Sequence, residues 1–314
     1  MRSRIFSRFA AAAAIAMLPV GAALQGCDHK ELCYDHSHMT DLDVAFDWSD
    51  APDAQPVTMV VHFFRPDGSL YKRLEFASRE GGKARLEAGA YMMLFHNGTM
   101  ETVAEQGSTW DDHQLTCMAS SLLSPMGRNS DDAPRPPEAG DQPVAAAPGM
   151  VWAGVHELIE LKPKIQGQSV TLRPAEATAE YVVEIKNVEN LSEGVEISAA
   201  ISGMSSAYSL SGQHHCGAAV TMPVGMEKVD EHTVRACFHA FGHCPAEELP
   251  HIFSIYTSNK VFYHYDITEQ MHQASDPRHV YIELDGLKIP DISGGMSPDI
   301  SGWTEVIEKD LPMN

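Results

Sequence analysis

Two sets of residues in this 314-residue chain have the types and spacing to do chemistry. The first is Cys27, which closes Leu24-Gln25-Gly26-Cys27 behind an arginine-bearing start and an apolar run. A cysteine so placed is cleaved at its amino side and acylated on its thiol, so Cys27 is the predicted lipidation residue. The second set is the imidazole and thiol of the latter half: His214-His215-Cys216, then Cys237, His239, His243 and Cys244. Such donors suit zinc or copper. No four of them have the spacing of a closed zinc site, so small thiols and exposed histidines are expected, with no obligatory metal and no cofactor. His215, Cys216, Cys237 and His243 are the residues whose convergence would indicate a metal instead.

Catalytic signatures are missing. There is no Gly-x-Ser-x-Gly elbow, no P-loop and no G-x-G-x-x-G after a strand. His156-Glu157-Leu158-Ile159-Glu160 starts like a zinc-protease helix but carries Glu160 where the second histidine belongs. Asp41, Asp43, Asp47, Asp50 and Asp53 lack the spacing and the glycine of a calcium loop, and the first three fall on the wet face of a strand. Tyr256, Phe262, Tyr263 and Tyr265 could form a glycan platform, yet their spacing along strands reads as core and cross-strand pairing. No enzyme is expected.

The elements that carry these residues begin with a leader. Arg2, Arg4 and Arg8 precede an apolar stretch from Phe9 to Val20, shorter than the ~20 residues a spanning helix needs. Residues 1–26 therefore read as a lipoprotein signal peptide, with Cys27 the sole membrane attachment. Removing them leaves 288 residues (314 less 26) and takes away three arginines and no acid, so the net charge moves from −21 to −24. So acidic a surface repels phosphate backbones, which excludes nucleic acid as a partner. Five further cysteines remain, an odd number whose spacing specifies no disulfide pattern.

The mature chain reads as all-β. Leu42, Val44, Phe46 and Trp48 alternate with Asp41, Asp43, Ala45 and Asp47, a period of two that buries one face. Residues 57–64 are apolar on both faces, as in a central sandwich strand. Pro66-Asp67-Gly68 is a turn, and strands at about 69–76, 83–87 and 90–96 follow. Residues 124–148 hold six prolines with few apolar side chains before Val144 and are expected to be a disordered surface loop. Beyond it, strands are expected at about 180–187, 195–202, 217–222, 231–241, 251–257, 260–267, 279–284 and 303–308, with a hairpin turn at Ser258-Asn259-Lys260 and a short helical turn at Ile267–His272. No βαβ alternation appears. The expected domains are an N-terminal β-sandwich over 27–174 and a C-terminal one over 175–314, with no convincing repeat between them.

Several stretches resemble one family: Cys27-Asp28-His29-Lys30-Glu31-Leu32-Cys33-Tyr34-Asp35-His36, Phe46-Asp47-Trp48, Ala51-Pro52-Asp53-Ala54, Gly89-Ala90-Tyr91, His96-Asn97, Ile201-Ser202-Gly203-Met204, Tyr265-Asp266-Ile267-Thr268, Asp285-Gly286-Leu287 and Ile289-Pro290. Together they look like a Bacteroidales fimbrillin-like lipoprotein family of uncharacterised function, allied to fimbrillins and fimbrial anchors. That resemblance implies two tandem Greek-key, transthyretin-like β-sandwiches and an outer-membrane lipoprotein carrying palmitate or a similar chain. It also implies exposure at the cell surface, where Asp28, Lys30 and Glu31 resemble a surface-export signal. Cell adhesion or pilus assembly is the implied role, with other pilin-like subunits as partners through strand exchange. No basic processing site stands out, which favours an anchor, tip or accessory subunit over a shaft subunit. The alternative is a glycan- or nutrient-binding surface lipoprotein.

Overall fold

The computed structural model describes residues 38–98, 100–128, 132–244, 249–290 and 302–307. The readings that fall on Cys27, Asp28, Lys30, Glu31 and Cys33 lie outside these residues. In β1 (Met39–Phe46), Leu42, Val44 and Phe46 are buried while Asp41 and Asp43 are exposed, as the alternation requires. β2 (Met59–Phe64) is buried along its whole length because both of its faces are covered. β3 (Leu70–Phe76), β4 (Gly81–Glu87) and β5 (Gly89–Asn97) follow at short turns. An insertion carrying β6 (Val103–Gln106) and β7 (Gln114–Cys117) then intervenes before β8 (Trp152–Leu161), β9 (Gln168–Leu172) and the two-residue β10 (Ala175–Glu176).

These strands make one sandwich. Its sheets run β4-β1-β9 and β10-β8-β5-β2-β3, with β1 and β9 parallel and their neighbours antiparallel. Phe46 sits at its centre, its ring 6.2 Å from Phe76 and 6.1 Å from Phe95, both edge-on.

A second sandwich is built from β11 (Ala179–Glu189), β12 (Ile197–Ser209), β13 (His214–Gly225), β14 (Glu227–Lys228), β15 (Val234–Ala240), β16 (Ile252–Thr257), β17 (Val261–Asp266) and β18 (His279–Lys288). A single turn of helix, α1 (Thr268–His272), lies between the last two, opened by Asp266, whose Oδ1 accepts the Thr268 N–H at 2.9 Å. One sheet is β14-β15-β11-β18, with β11 and β18 parallel; the other joins β17, β16, β12 and β13. If the principal strands of each half are lettered a to g, both halves pack a d-a-g sheet on a c-b-e-f sheet with a parallel to g. The fold is all-β, two transthyretin-like sandwiches in tandem, and topology repeats where sequence does not.

The insertion between strands e and f of the first sandwich belongs structurally to the second. β7 pairs with the far half of β12, Ala207 opposite Thr116 and Ser209 opposite Gln114, and β6 continues that sheet. Val103, Leu115 and Cys117 are buried there. The disordered loop expected at 124–148 is corrected over its described residues. Met126, Ala133 and Val144 pack against a cluster of Leu122, Leu123, Ala200, Tyr256 and Phe262. The Tyr256 hydroxyl donates to the Pro134 carbonyl at 2.9 Å, and Thr221 exchanges backbone bonds with Pro143 and Ala145 at 2.9 and 3.0 Å. Proline content concealed this, since a segment poor in apolar side chains can still supply carbonyl acceptors to a neighbouring sheet. One such donor is the N–H of Gly203, at an irregularity in β12, which the Gln142 side-chain oxygen accepts at 2.9 Å. Gly203 has φ +77°, and a Cβ there would stand 2.4 Å from His251 Nδ1, so only glycine fits.

Candidate functional site at the junction of the sandwiches

Side chains alternate along β2, so Met59, Val61 and Phe63 enter the first core while Val60, His62 and Phe64 face the other way. On β5, His96 lies opposite Val60 and so falls on that same outer face, diagonal to His62. Onto this face folds the β6–β7 hairpin, bringing Glu105 from β6 and His113 from the residue before β7. Three imidazoles and a carboxylate thus meet where the two sandwiches join. His62, His96 and His113 are buried, and the Glu105 side chain is about one-quarter exposed.

The distances are short. His62 Nε2 lies 3.3 Å from His96 Nε2 and 3.5 Å from Glu105 Oε2, and His96 Nε2 lies 3.3 Å from Glu105 Oε1. The His62 and His113 ring centroids are 4.2 Å apart. Two backbone carbonyls set the ring orientations, Asn97 O against His96 Nδ1 at 2.8 Å and Gly107 O against His113 Nδ1 at 3.3 Å. Arg73 on β3 forks the carboxylate, its Nε 2.9 Å from Oε2 and its Nη2 2.8 Å from Oε1. His62 Nδ1 and His113 Nε2 are buried without a hydrogen-bond partner.

Burial, then the neighbouring His113 and His96, drive the His62 imidazole down to about 3, so it is neutral at ordinary pH. Burial also lowers His113. At Glu105 burial works to raise the carboxyl, but hydrogen bonds from His96 and Arg73 outweigh it and hold the group well below the usual carboxylate range. With His62 neutral, the Arg73 fork is the principal charge partner of Glu105.

The residues singled out from sequence lie elsewhere. Cys216 on β13 faces Gln114, with Sγ 3.8 Å from Oε1, and Cys237 on β15 is exposed beside Glu180. His243 stands with His251 and His272, ring centroids 5.3 Å away in each case. Among the described residues, the set of three or more ligand-type side chains whose donor atoms lie within 4.8 Å of one another is His62, Glu105 and His113. His215, Cys216, Cys237 and His243 do not form such a set. Cys117, Cys216, Cys237 and Cys244 are unpaired thiols. Tyr256, Phe262, Tyr263 and Tyr265 are buried core residues, and Tyr281 is the exposed aromatic among the described residues. Nothing in sequence spacing marked the junction cluster, because its members sit on four separate strands or strand ends.

One sheet edge also matters. The outer edge of β17 is covered by β19 (Thr304–Ile307), which runs parallel to it, Val261 opposite Thr304 and His264 opposite Ile307. The Thr304 N–H donates to Lys260 O at 2.9 Å, and the Trp303 ring meets Tyr256 edge-on at 5.7 Å. Among the described residues, no helix is long and apolar enough to cross a membrane.

These features define a tandem transthyretin-like sandwich protein with a strand-covered edge and a polar cluster at the junction. The sequence matches the family described as Domain of unknown function (DUF5119) over residues 26–225, and the chain belongs to that family. No curated protein matches it. Its fold is similar to that of a candidate adhesin from Bacteroides ovatus, with a TM-score of 0.58 at 14% identity, covering 92% of this chain and 99% of that one. It is also similar to a structure from Bacteroides thetaiotaomicron described among candidate polysaccharide-binding proteins (DUF1812), at TM-score 0.51 and 10% identity, covering 78% and 89%. A lower-scoring likeness, 0.47 at 14% identity over 82% and 92%, is to the fimbrial anchor protein Mfa2 of Porphyromonas gingivalis. Membership of a family of uncharacterised function, expected from the sequence, holds.

Proposed function

We propose that the protein is a non-enzymatic surface subunit for adhesion or pilus assembly, an anchor, tip or accessory component, held to the outer membrane by acyl chains on Cys27. The observation that carries this reading is β19. A four-residue strand covers the edge of β17, and main-chain pairing of that kind is how an added strand gains affinity. An edge covered so lightly is protected from indiscriminate pairing yet can exchange its cover for a partner's strand. The matched fold of a candidate adhesin supports the reading. A glycan-binding role draws less support, because the aromatic residues that would form a platform are in the core.

The test is deletion of residues 302–314 from the full chain. The truncated protein is expected to keep its melting midpoint within a few degrees and its membrane location, but to be absent from high-mass surface assemblies. Assembly at the wild-type level would refute strand exchange at this edge. Separately, Cys27→Ala should abolish acyl labelling and release the protein from the membrane fraction.

A further inference from the structure

We infer that the junction cluster is a site for a divalent first-row cation such as zinc, bound by imidazole and carboxylate from His62, Glu105 and His113, with His96 beside them. The ion would join the first sandwich to the hairpin that belongs to the second.

The spacing fits such an ion. Ligands about 2.0–2.1 Å from a tetrahedral zinc stand roughly 3.3–3.4 Å apart along each edge. His62 Nε2 stands 3.5 Å from Glu105 Oε2, close to such an edge. His113 completes the set, with donor atoms of His62, Glu105 and His113 all within 4.8 Å. The outer contacts are those of metal-binding imidazoles, in which one ring nitrogen donates to a carbonyl and the other is left as the ligand. His113 Nδ1 meets Gly107 O, which leaves its Nε2 to ligate, whereas His96 Nε2 is already shared with His62 and Glu105. His113 Nε2 is buried with no partner, a lone pair for which an ion would account. Arg73 orients the carboxylate and occupies only part of its acceptor capacity, since a carboxylate offers about four lone-pair sites.

The donor set also selects the ion. Two imidazole nitrogens and one carboxylate oxygen, with no thiolate, favour zinc, copper or nickel over calcium or magnesium. What the ion would connect follows from the strands. His62 and His96 lie on the central strands of the first sandwich, and Glu105 and His113 on a hairpin paired to β12. The His113 carbonyl itself accepts the N–H of Leu210 in the second sandwich, at 3.2 Å. An ion here would fix the angle between the two halves.

The full chain, stripped with chelator and titrated with zinc chloride, tests this. One equivalent should bind and raise the melting midpoint in proportion to the logarithm of free zinc. X-ray absorption at the zinc edge should report a shell of nitrogen and oxygen with imidazole scattering. His113→Ala and Glu105→Gln should each weaken binding roughly a hundredfold or more, whereas Cys237→Ser should leave it unchanged. Sulfur in the shell, failure to bind one equivalent, or affinity unaffected by both cluster variants would overturn the inference. Because the absorption spectrum is read on the wild-type chain, the result stands even where a cluster variant fails to fold.

Discussion

Replacing residues 132–143 with a short Gly/Ser bridge should unfold the second sandwich far more readily. The change removes the acceptors for Tyr256 Oη, Gly203 N and Thr221 N, which are Pro134 O, Gln142 Oε1 and Pro143 O. At about 0.5–1.5 kcal/mol net for each bond, that costs about 2–5 kcal/mol. The apolar cover of Tyr256 and Phe262 is largely kept, since Leu122, Leu123, Met126, Val144 and Trp303 lie outside the replaced residues and only Ala133 is lost. Loop entropy barely enters, since even a doubling of length changes closure by only about 0.6 kcal/mol. At about 2–4 °C per kcal/mol, the midpoint followed by circular dichroism should fall by roughly 5–20 °C. Gln142→Ala isolates one component, the stranded Gly203 N–H, and should cost about 1–3 kcal/mol in denaturant unfolding. A shift of under about 3 °C for the replacement would refute the packing argument and restore the segment to a passive loop.

Three further outcomes follow from the geometry. Burial, with His251, His272 and His215 around it, lowers His243 to about 4, while the unfolded residue titrates near 6.5. The unfolded chain therefore takes up more protons between those values. The stability His243 contributes is complete above about 6.5 and is lost as pH falls toward 4. Asp266 acts on His251 within this histidine group; His243→Gln should flatten the fall in denaturant-measured stability between pH 7 and 4.5 by about 1–2 kcal/mol, allowing for partial exposure, and an unchanged slope would remove His243 from the account. Gly203→Ala should cost about 2–4 kcal/mol, from the left-handed backbone and the Cβ that meets His251, and a neutral result in calorimetry would show that β12 can relax there. Under native conditions an alkylating reagent should modify exposed Cys237 and spare Cys117, whose thiol burial pushes up to about 12; peptide mapping that found Cys117 modified would show the β6–β7 hairpin opening readily.

Local patterning made most strands legible. The alternation of Leu42, Val44 and Phe46 with acids predicted β1 and the face it buries. The apolar run at 57–64 predicted a doubly covered β2, and Lys260, at φ 58°, does close the turn after Ser258-Asn259. What local pattern could not supply was pairing at a distance. The hairpin at 103–117 is two four-residue strands whose partner lies in the other half, and residues 132–148 gain their order from a sheet they precede in the chain. The junction cluster failed to show for the same reason. His62 and His96 are 34 residues apart, and only antiparallel register sets them diagonal to each other. The His/Cys-rich stretch, which drew attention by composition, is divided: His215 lies near His243, while Cys216 faces Gln114 and Cys237 faces Glu180.

The lending of β6 and β7 to the second sandwich also constrains how the chain can fold. Thr116 must wait for Ala207, 91 residues further on, before β7 has a partner. Contacts of such separation form slowly. Until they form, the outer face of β2 and β5, with Phe64 and Leu94, lacks its cover, so the first sandwich cannot finish ahead of the second although its own strands end at Glu176. Cutting the chain near residue 174 would not liberate two independent folding units. It would leave one half with a homeless hairpin and the other with an unfilled slot beside β12. Unfolding of the intact chain should accordingly run as one cooperative transition, and the partly folded species most exposed to misassembly is the one in which that slot is still open.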